Sequence, residues 1–164
     1  MTKKLFVLLS LCLSVACVWA QPVSPNSRLS ITPSGRGFTI SYLKKPVLNV
    51  PVVGYDGMKN NRPKWKFEGL KLSDYHMKTG KKEYCSNDAN EYRATLNSDV
   101  QLVVRLYNDG VAFRYELSNV NGQLPKEITA YKIPEGVKRW MQQWTDSYEG
   151  FYPMSITGKI QPIG

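Results

Sequence analysis

The clearest alternation of hydrophobic and polar positions lies within residues 100–117. Hydrophobic side chains at every second position in 100–106, and again in 111–117, predict two β-strands that each bury one face. Asp109 and Gly110, in the turn between them, can adopt positive φ angles, and glycine does so without steric cost. We therefore expect a β-hairpin with antiparallel strands. Arg114 and Glu116, two residues apart, share one face of the second strand, so a surface ion pair is expected between them.

Shorter alternating runs, bounded by proline or glycine, surround this hairpin. They predict a second hairpin and two further strands, at residues 29–32, 38–43, 47–50 and 128–133. A turn is expected at 44–46. The segment 54–90 is interrupted by Gly, Asn, Lys and Asp. It predicts long loops between short edge strands, and the carboxylates of Glu83, Asp88 and Glu91 are expected to be solvated there or next to it.

Only one stretch has helical spacing. Hydrophobic residues within 137–144 recur at helical intervals, but the run is shorter than two turns, so at most a short turn of helix is expected. Strands at short intervals, separated by turn residues, are typical of antiparallel sandwiches. The sequence therefore predicts an all-β fold in the form of an antiparallel β-sandwich.

Five short motifs resemble those of the N-terminal domain of glycoside hydrolase family 97, and they occur in that family's order. The most specific is Tyr-Asn-Asp-Gly-Val-Ala-Phe-Arg-Tyr at 107–115. The others are Ser24-Pro25-Asn26, Phe38–Tyr42 followed by Lys45–Leu48, Glu127–Tyr131 and Tyr148–Tyr152. The resemblance extends over residues 24–164. It implies a supersandwich similar to the galactose mutarotase-like domains, followed in the family by a (β/α)-barrel.

The resemblance also implies chemistry that resides in longer family members. Those enzymes act on α-glucosides or α-galactosides, depend on calcium, and take their catalytic acid and base or nucleophile from the barrel. Because a barrel would begin beyond residue 164, no catalytic residue and no metal ligand is assigned to this chain. The family's N-terminal domain is also longer than this sequence, so we expect an incomplete sandwich. The catalytic barrel, which is missing from this sequence, is an expected partner.

Residues 1–20 are typical of a signal peptide. Two lysines precede an apolar run, 5–18, which is too short to anchor the chain in a bilayer, and a small-x-small cleavage site ends at Ala20. This pattern predicts an exported domain of residues 21–164, periplasmic or at the cell surface, with no transmembrane segment after cleavage. Cys17 keeps a lipid anchor open as an alternative.

Basic residues are concentrated in one part of the chain. The formal net charge is +9, and between Lys44 and Lys82 there are 10 basic residues against 3 acidic ones. A basic segment with interleaved aromatic residues could bind a polyanion. A lysine-rich solvated surface is the ordinary explanation of such a segment. Since the chain carries an export signal and no nucleic-acid motif, we expect no nucleic-acid partner.

Aromatic and polar side chains come together late in the sequence. The residues are Trp140, Trp144, Tyr148, Glu149 and Tyr152, with two glutamines between the tryptophans. Sugars present C–H faces that stack on aromatic rings and hydroxyls that pair with carboxylates and amides. These five residues are therefore candidates for carbohydrate binding or for an interface with the barrel. The alternative is that the aromatic rings are core and interface filler for a large sandwich.

These observations lead to one favoured function and two alternatives. The favoured one is a non-catalytic, N-terminal portion of an exported α-glycosidase, which shapes a pocket for an α-linked oligosaccharide or glucan. The first alternative is a free-standing secreted carbohydrate-binding module that uses Trp140, Trp144 and Tyr148. The second alternative is a basic surface module that binds a polyanion. Enzymatic activity of the chain itself is left open, because the catalytic barrel is absent from this sequence.

Overall fold

The computed structural model of the chain describes residues 21–58, 62–119, 125–147 and 149–159. In these ranges the regular secondary structure is β-strand, without any helix. The strands are β1 (Leu29–Ser34), β2 (Gly37–Tyr42), β3 (Lys45–Val52), β4 (Lys66–Lys71), β5 (Asp74–His76), β6 (Tyr84–Ser86), β7 (Ala89–Thr95), β8 (Val100–Tyr107), β9 (Val111–Leu117), β10 (Ala130–Lys132), β11 (Arg139–Trp140) and β12 (Met154–Ser155). The predicted signal peptide, residues 1–20, lies outside the described ranges.

Two four-stranded antiparallel sheets form the body of the domain. Sheet 1 has the strand order β1-β2-β3-β10, and sheet 2 has the order β4-β7-β8-β9. Two two-stranded ribbons, β5–β6 and β11–β12, complete the described strands. The predicted fold class, all-β and antiparallel, is confirmed.

The two sheets face each other across one hydrophobic core. Phe38 on β2 meets Phe113 on β9 and Trp65 next to β4 edge to face, with ring centroids 5.8 Å apart in both pairs. The side chains without solvent exposure alternate along their strands, as expected when one face is buried. They include Ile31, Val50, Leu102, Val104 and Leu106, each 0% exposed.

The predicted hairpin of residues 100–117 is present as β8 and β9, but its turn differs from the expectation. Leu106 pairs with Val111, and the Tyr107 amide donates a hydrogen bond to the Gly110 carbonyl oxygen at 2.8 Å. Neither Asp109 nor Gly110 has a positive φ, so that part of the prediction is wrong. Loops of four residues are most often built around an ordinary type I turn, whereas the two-residue turn needs left-handed residues.

The other predicted strands of sheet 1 are also present. β1 and β2 pair antiparallel up to Ser34 and Gly37, and the strand expected at 128–133 is the shorter β10, which pairs with β3. β3 begins at Lys45, directly after Leu43 and Lys44, whose φ angles are 48° and 67°. The turn expected at 44–46 therefore lies about one residue earlier. Two successive left-handed residues match the twist of the flanking strands, although this pair lacks the usual Asn or Gly.

The largest error of the sequence-based prediction concerns β7, which begins inside the segment taken as irregular. β7 is a central strand of sheet 2, between β4 and β8. Tyr92 and Ala94 face the core, while Glu91 lies on the opposite face and is only 6% exposed, so the expectation that Glu91 is solvated is wrong. The helical spacing within 137–144 is not realised either, because β11 occupies part of this stretch.

The Tyr107–Tyr115 motif joins the hairpin to distant segments. The Asn26 amide donates to Oδ1 of Asn108 at 2.9 Å. The Gly54 amide donates to the hydroxyl oxygen of Tyr115 at 2.8 Å, and that hydroxyl also pairs with Oγ1 of Thr129 at 2.6 Å. Burial raises the pKa of Tyr115, so its hydroxyl keeps its proton at neutral pH. The motif therefore has a structural role in the described fold.

The four edge strands terminate their sheets in different ways. β1 is covered by the preceding segment, since Val23 bridges Ser30 and the Ile31 amide donates to the Pro22 carbonyl oxygen. β4 has a register shift next to Gly69, and β10 is only 3 residues long with a register shift of its own. β9, in contrast, has 7 residues in regular register. Covered, irregular and short edges resist pairing with another chain, and within the described residues β9 has none of these features.

Candidate functional site

The candidate residues lie on the β11–β12 ribbon and in the loop between its strands. The strands pair antiparallel, with Trp140 opposite Met154, and the Met141 amide donates to the Pro153 carbonyl oxygen at 3.1 Å. Among the described strands, β11 and β12 pack only against each other. The ribbon is therefore held by its own hydrogen bonds and does not contribute to the core of the sandwich.

Arg139 stabilises the base of this ribbon. Its guanidinium group donates hydrogen bonds to the carbonyl oxygens of Pro134, Ile156 and Val137, at 2.7, 3.2 and 3.3 Å. Pro134 precedes β11 and Ile156 follows β12, so one side chain connects the segments that enter and leave the ribbon at its base. Its planar shape, with donors pointing in several directions, suits arginine to this role.

The aromatic side chains of the ribbon are turned to the surface. Trp140 is 65% exposed, Trp144 74% and Tyr152 57%, and Phe151 in the same loop is 75% exposed. The part of the alternative that makes Trp140, Trp144 and Tyr152 core filler is therefore wrong for the described residues, and the part that makes them interface filler stays a prediction. Because these rings are exposed, they could contact either a ligand or the surface of a further protein domain. Phe151 was not singled out in the sequence, although it stands between Glu149 and Tyr152.

The loop between β11 and β12 also contains polar residues. Glu149 is exposed, and its amide donates to Oγ of Ser147 at 3.4 Å. Tyr148 lies outside the described residues. Gln142 donates to Oγ1 of Thr145 at 3.4 Å, and its amide nitrogen approaches Gly150 so closely that a Cβ there would lie 2.3 Å from it. Carboxylate and amide groups thus accompany the exposed rings, as a saccharide surface requires.

A second polar region covers the face of sheet 2 that points away from the core. Nε of Arg105 lies 2.7 Å from Oε2 of Glu91, and Nζ of Lys71 lies 3.6 Å from Oε1. Burial alone would raise the pKa of Glu91, but the hydrogen bond and charge of Arg105, together with Lys71, outweigh burial and lower that pKa. Glu91 therefore remains a carboxylate in a largely buried position.

Two arginines share Glu116 on the same face. Nη2 of Arg114 lies 2.6 Å from Oε1 of Glu116, which confirms the ion pair expected from their spacing along the strand. Arg93 pairs with the other oxygen of Glu116 and donates to Oε1 of Gln101 at 2.6 Å. The hydrogen bonds from Arg93 and Arg114 lower the pKa of Glu116. Sequence reasoning could find only the pair on one strand, because Arg93 is on β7.

Basic residues of the segment 44–82 also reach this face. Lys64 and Lys66 line a cleft of about 410 Å³ together with Glu68, Arg93 and Thr95. Lys66 forms an ion pair with Glu68 at 3.0 Å, so part of the positive charge is neutralised within the cleft. The cleft is one place on sheet 2 where a polyanion would meet lysine and arginine together.

The resemblance implies that longer family members bind calcium, so a calcium site would need suitable ligands among the described residues. Calcium prefers several oxygen ligands in one cluster. In the parts of the chain that the structure describes, no three His, Cys, Asp or Glu side chains come together in a way that could hold a metal ion.

The described ranges also contain no helix that is long and apolar enough to cross a membrane.

Comparison with known proteins identifies relatives of the chain. The family described as "Glycosyl-hydrolase 97 N-terminal" matches residues 23–163. No curated protein matches the sequence. Two solved structures of a glycoside hydrolase family 97 enzyme from a Pseudoalteromonas strain, one a variant in complex with panose and one in complex with acarbose, are similar in fold, each with a TM-score of 0.61 and 18% identity.

The structural matches cover most of this chain but only a small part of the related enzyme. Each structural match covers 84% of this chain but only 24% of the other chain. At this level of identity, the likeness establishes the fold and no more. This chain therefore corresponds to about a quarter of the length of the enzymes it resembles.

Proposed function

This chain belongs to the glycosyl-hydrolase 97 N-terminal family, and from that premise we propose that it is the non-catalytic, N-terminal sandwich of an exported α-glycosidase. In this role the domain supports a catalytic barrel and contributes one wall of a pocket for an α-linked oligosaccharide or glucan. The proposal is supported by the length difference, since each structural match covers only 24% of the related enzyme chain.

The exposed aromatic surface of the β11–β12 ribbon is the observation that favours a contribution to sugar binding. Trp140, Trp144 and Tyr152 are each more than half exposed, next to Glu149 and the amide of Gln142. Stacking on a sugar ring uses the apolar ring face, and neighbouring amides and carboxylates accept and donate to hydroxyls. The related enzyme structures contain panose and acarbose, which are ligands of those enzymes.

A binding experiment on the 164-residue chain tests the ribbon. Titration with maltotriose, followed by isothermal calorimetry, measures the dissociation constant for the wild type and for Trp144→Ala. If the chain binds maltotriose without further polypeptide, loss of one stacked ring is expected to weaken that binding about five- to tenfold. Tyr84→Ala, at another exposed aromatic on the β5–β6 ribbon, is the control and leaves binding unchanged.

The outcome also separates the proposal from a free-standing binding module. Binding by the chain alone, lost in Trp144→Ala, supports such a module. Binding that needs the polypeptide encoded downstream of Gly164 supports the pocket-wall role. Hydrolysis of an aryl α-glucoside by the chain alone would overturn the non-catalytic role in both versions. Retention of the chain on heparin, lost at moderate salt, would favour the polyanion alternative.

Export is a separate part of the proposal and rests on residues 1–20 of the sequence. Cleavage after Ala20 would leave a mature chain that begins at Gln21, in the periplasm or at the cell surface. Mass spectrometry of the mature protein distinguishes this result from a chain acylated at Cys17. A cytoplasmic protein that keeps residues 1–20 would contradict both versions.

A further inference from the structure

The chain is fixed to the sandwich from Pro22 onward. The side chain of Pro22 is fully buried, and its carbonyl oxygen accepts a hydrogen bond from the Ile31 amide at 2.8 Å. The Val23 amide donates to the Tyr92 hydroxyl oxygen at 3.1 Å, and the Val23 carbonyl oxygen accepts a hydrogen bond from Nδ2 of Asn90 at 3.0 Å. These bonds connect the start of the domain to both sheets.

Gln21, directly before this anchored segment, lies at the surface. It is exposed, and its Nε2 donates to Oγ1 of Thr32 in a long, exposed hydrogen bond of 3.3 Å. Cleavage after Ala20 would make Gln21 the first residue and give it a free α-amino group. Glutamine is reactive at this position, because its amine and its side-chain amide carbon are placed to close a five-membered ring.

We propose that Gln21 of the mature chain is modified to pyroglutamate. This inference rests on the export proposed for the chain, because the reaction needs the amine that cleavage after Ala20 creates. The amine nitrogen attacks Cδ of the side-chain amide, so a bond from nitrogen to Cδ forms and the bond from Cδ to Nε2 breaks. Nε2 takes one proton from the amine and leaves as ammonia. The reaction needs no oxidant, reductant or further substrate.

The surroundings of Gln21 favour the loss of its positive charge. Gln21 lines a cleft of about 400 Å³ together with Arg62, Lys64 and Trp65, and the described lining residues include no Asp or Glu. A free α-ammonium group would add a third positive charge to this cleft, and like charges repel each other. The ring of pyroglutamate is uncharged, so its formation removes that repulsion.

The fold also favours this ring closure over a second reaction of the same amine. An N-terminal amine that precedes proline can attack the proline carbonyl carbon, which releases the first two residues as a cyclic dipeptide. Here the Pro22 carbonyl oxygen is bound by the Ile31 amide and the proline is buried, so that attack requires the segment to detach from β1. The exposed side chain of Gln21 can fold back on its own amine without such a movement.

The modification would protect the segment that covers β1. Aminopeptidases, including those that remove dipeptides ending in proline, need a free α-amino group, and pyroglutamate has none. Loss of Gln21 and Pro22 would remove the acceptor of the Ile31 amide and uncover part of this edge of sheet 1. A closed ring at residue 21 therefore preserves the covered edge.

Mass spectrometry of the mature protein, isolated from cells that export it, tests the proposal. Free amines are dimethylated before digestion, which marks them and prevents ring closure during later handling. The expected N-terminal peptide begins at Gln21, carries no label on its α-nitrogen and is lighter than its sequence by one ammonia. A labelled Gln21 overturns the modification and leaves export intact.

Other N-termini have equally definite meanings. A chain that begins at Val23 has lost the dipeptide, which overturns the proposed protection. A chain that begins at Met1 or at Cys17 lacks the required N-terminal glutamine, and this result removes the premise of cleavage after Ala20 together with the inference. The failure of the modification is thus distinguishable from the failure of the export proposal.

Gln21→Asn tests whether the ring itself blocks the N-terminus. Asparagine keeps the amide but is one methylene shorter, so it would need a strained ring of four atoms, and this variant should carry a labelled α-amine. At about pH 6, where an α-amine is charged, it should elute later than the wild type from a cation exchanger. Gln101→Asn, the same change on β8, is the control and should keep the unlabelled N-terminus. An unlabelled α-nitrogen in Gln21→Asn overturns the proposal.

Discussion

The sandwich and the β11–β12 ribbon use the same kinds of residue for different purposes. In the sandwich, Phe38 and Trp65 are 0% and 3% exposed and meet edge to face, whereas in the ribbon Trp144 and Phe151 are 74% and 75% exposed. The sandwich is stabilised by burial, and the ribbon by backbone hydrogen bonds and Arg139. Stability and surface recognition are thus expected to reside in separate parts of the chain, and substitutions should separate them.

The largest loss of stability is expected from Gly37→Ala in the sandwich. A Cβ at Gly37 would lie 2.0 Å from the carbonyl oxygen of Val50, so β2 and β3 could not keep their spacing. We expect the free energy of unfolding in guanidinium chloride to fall by more than about 4 kcal/mol. Gly110→Ala, where a Cβ meets nothing within 4 Å, is the control. Equal losses in both variants would show that the close approach is not the cause.

Leu102→Ala tests the core between the sheets. Leu102 is 0% exposed, and its truncation leaves a cavity that costs about 3 kcal/mol of unfolding free energy. Leu72→Ala, at a position 68% exposed, should change the same quantity by less than about 0.5 kcal/mol. A large effect at Leu72 would mean that its surface is covered in solution.

Glu91→Gln tests the ion pair on the outer face of sheet 2. The change removes the charge that Arg105 and Lys71 neutralise, and about 2 kcal/mol of stability should be lost at pH 7. Glu116→Gln, whose side chain is 37% exposed, should cost less than about 1 kcal/mol. Chemical denaturation of both variants decides whether burial or charge alone sets the cost.

The same pair predicts a pH dependence. The folded-state pKa of Glu91 is lowered below its ordinary value of 4.5, so its contribution is present above pH 4.5 and is lost as the pH falls through the folded-state pKa. The unfolding free energy of the wild type should therefore decrease more steeply with acid than that of Glu91→Gln. Parallel acid profiles of the two proteins would contradict the assignment.

The smallest effect on global stability is expected from Arg139→Ala in the ribbon. Loss of its hydrogen bonds should open the ribbon and raise the rate of limited proteolysis within 141–153 about tenfold or more. The unfolding free energy of the sandwich should change by less than about 0.5 kcal/mol. Lys138→Ala, next in sequence and exposed, is the control. A cooperative loss of the whole fold would show that ribbon and sandwich are one unit.

Prediction from the sequence was most successful for strands that have one apolar face and that pair with the next strand along the chain. The β8–β9 and β1–β2 hairpins have this property, and both were predicted with the correct pairing. The pair of Arg114 and Glu116 was found for the same reason, since both lie on one strand. Local alternation contains the information for such contacts.

The failures have a common physical cause. Glu91 was taken as solvated because a carboxylate next to polar residues is usually exposed, but Arg105 comes from β8 and Lys71 from β4. β7 was missed because the polar Asn90 shares the face of Tyr92 and Ala94, so the apolar alternation is too short to recognise. The neutralising partners lie on other strands, and no pattern along one strand reveals them.

The amino-acid sequence by itself determined the all-β class, the main hairpins and the family, because alternation and motifs are properties of adjacent residues. Which aromatic rings are buried was decided only in three dimensions, since Trp65 and Trp144 have the same chemistry and differ in what packs on them. The tertiary structure also decided which strands lie at the edges of the two described sheets. Exposure depends on the arrangement of whole sheets, and that arrangement is not encoded in any single stretch of the chain.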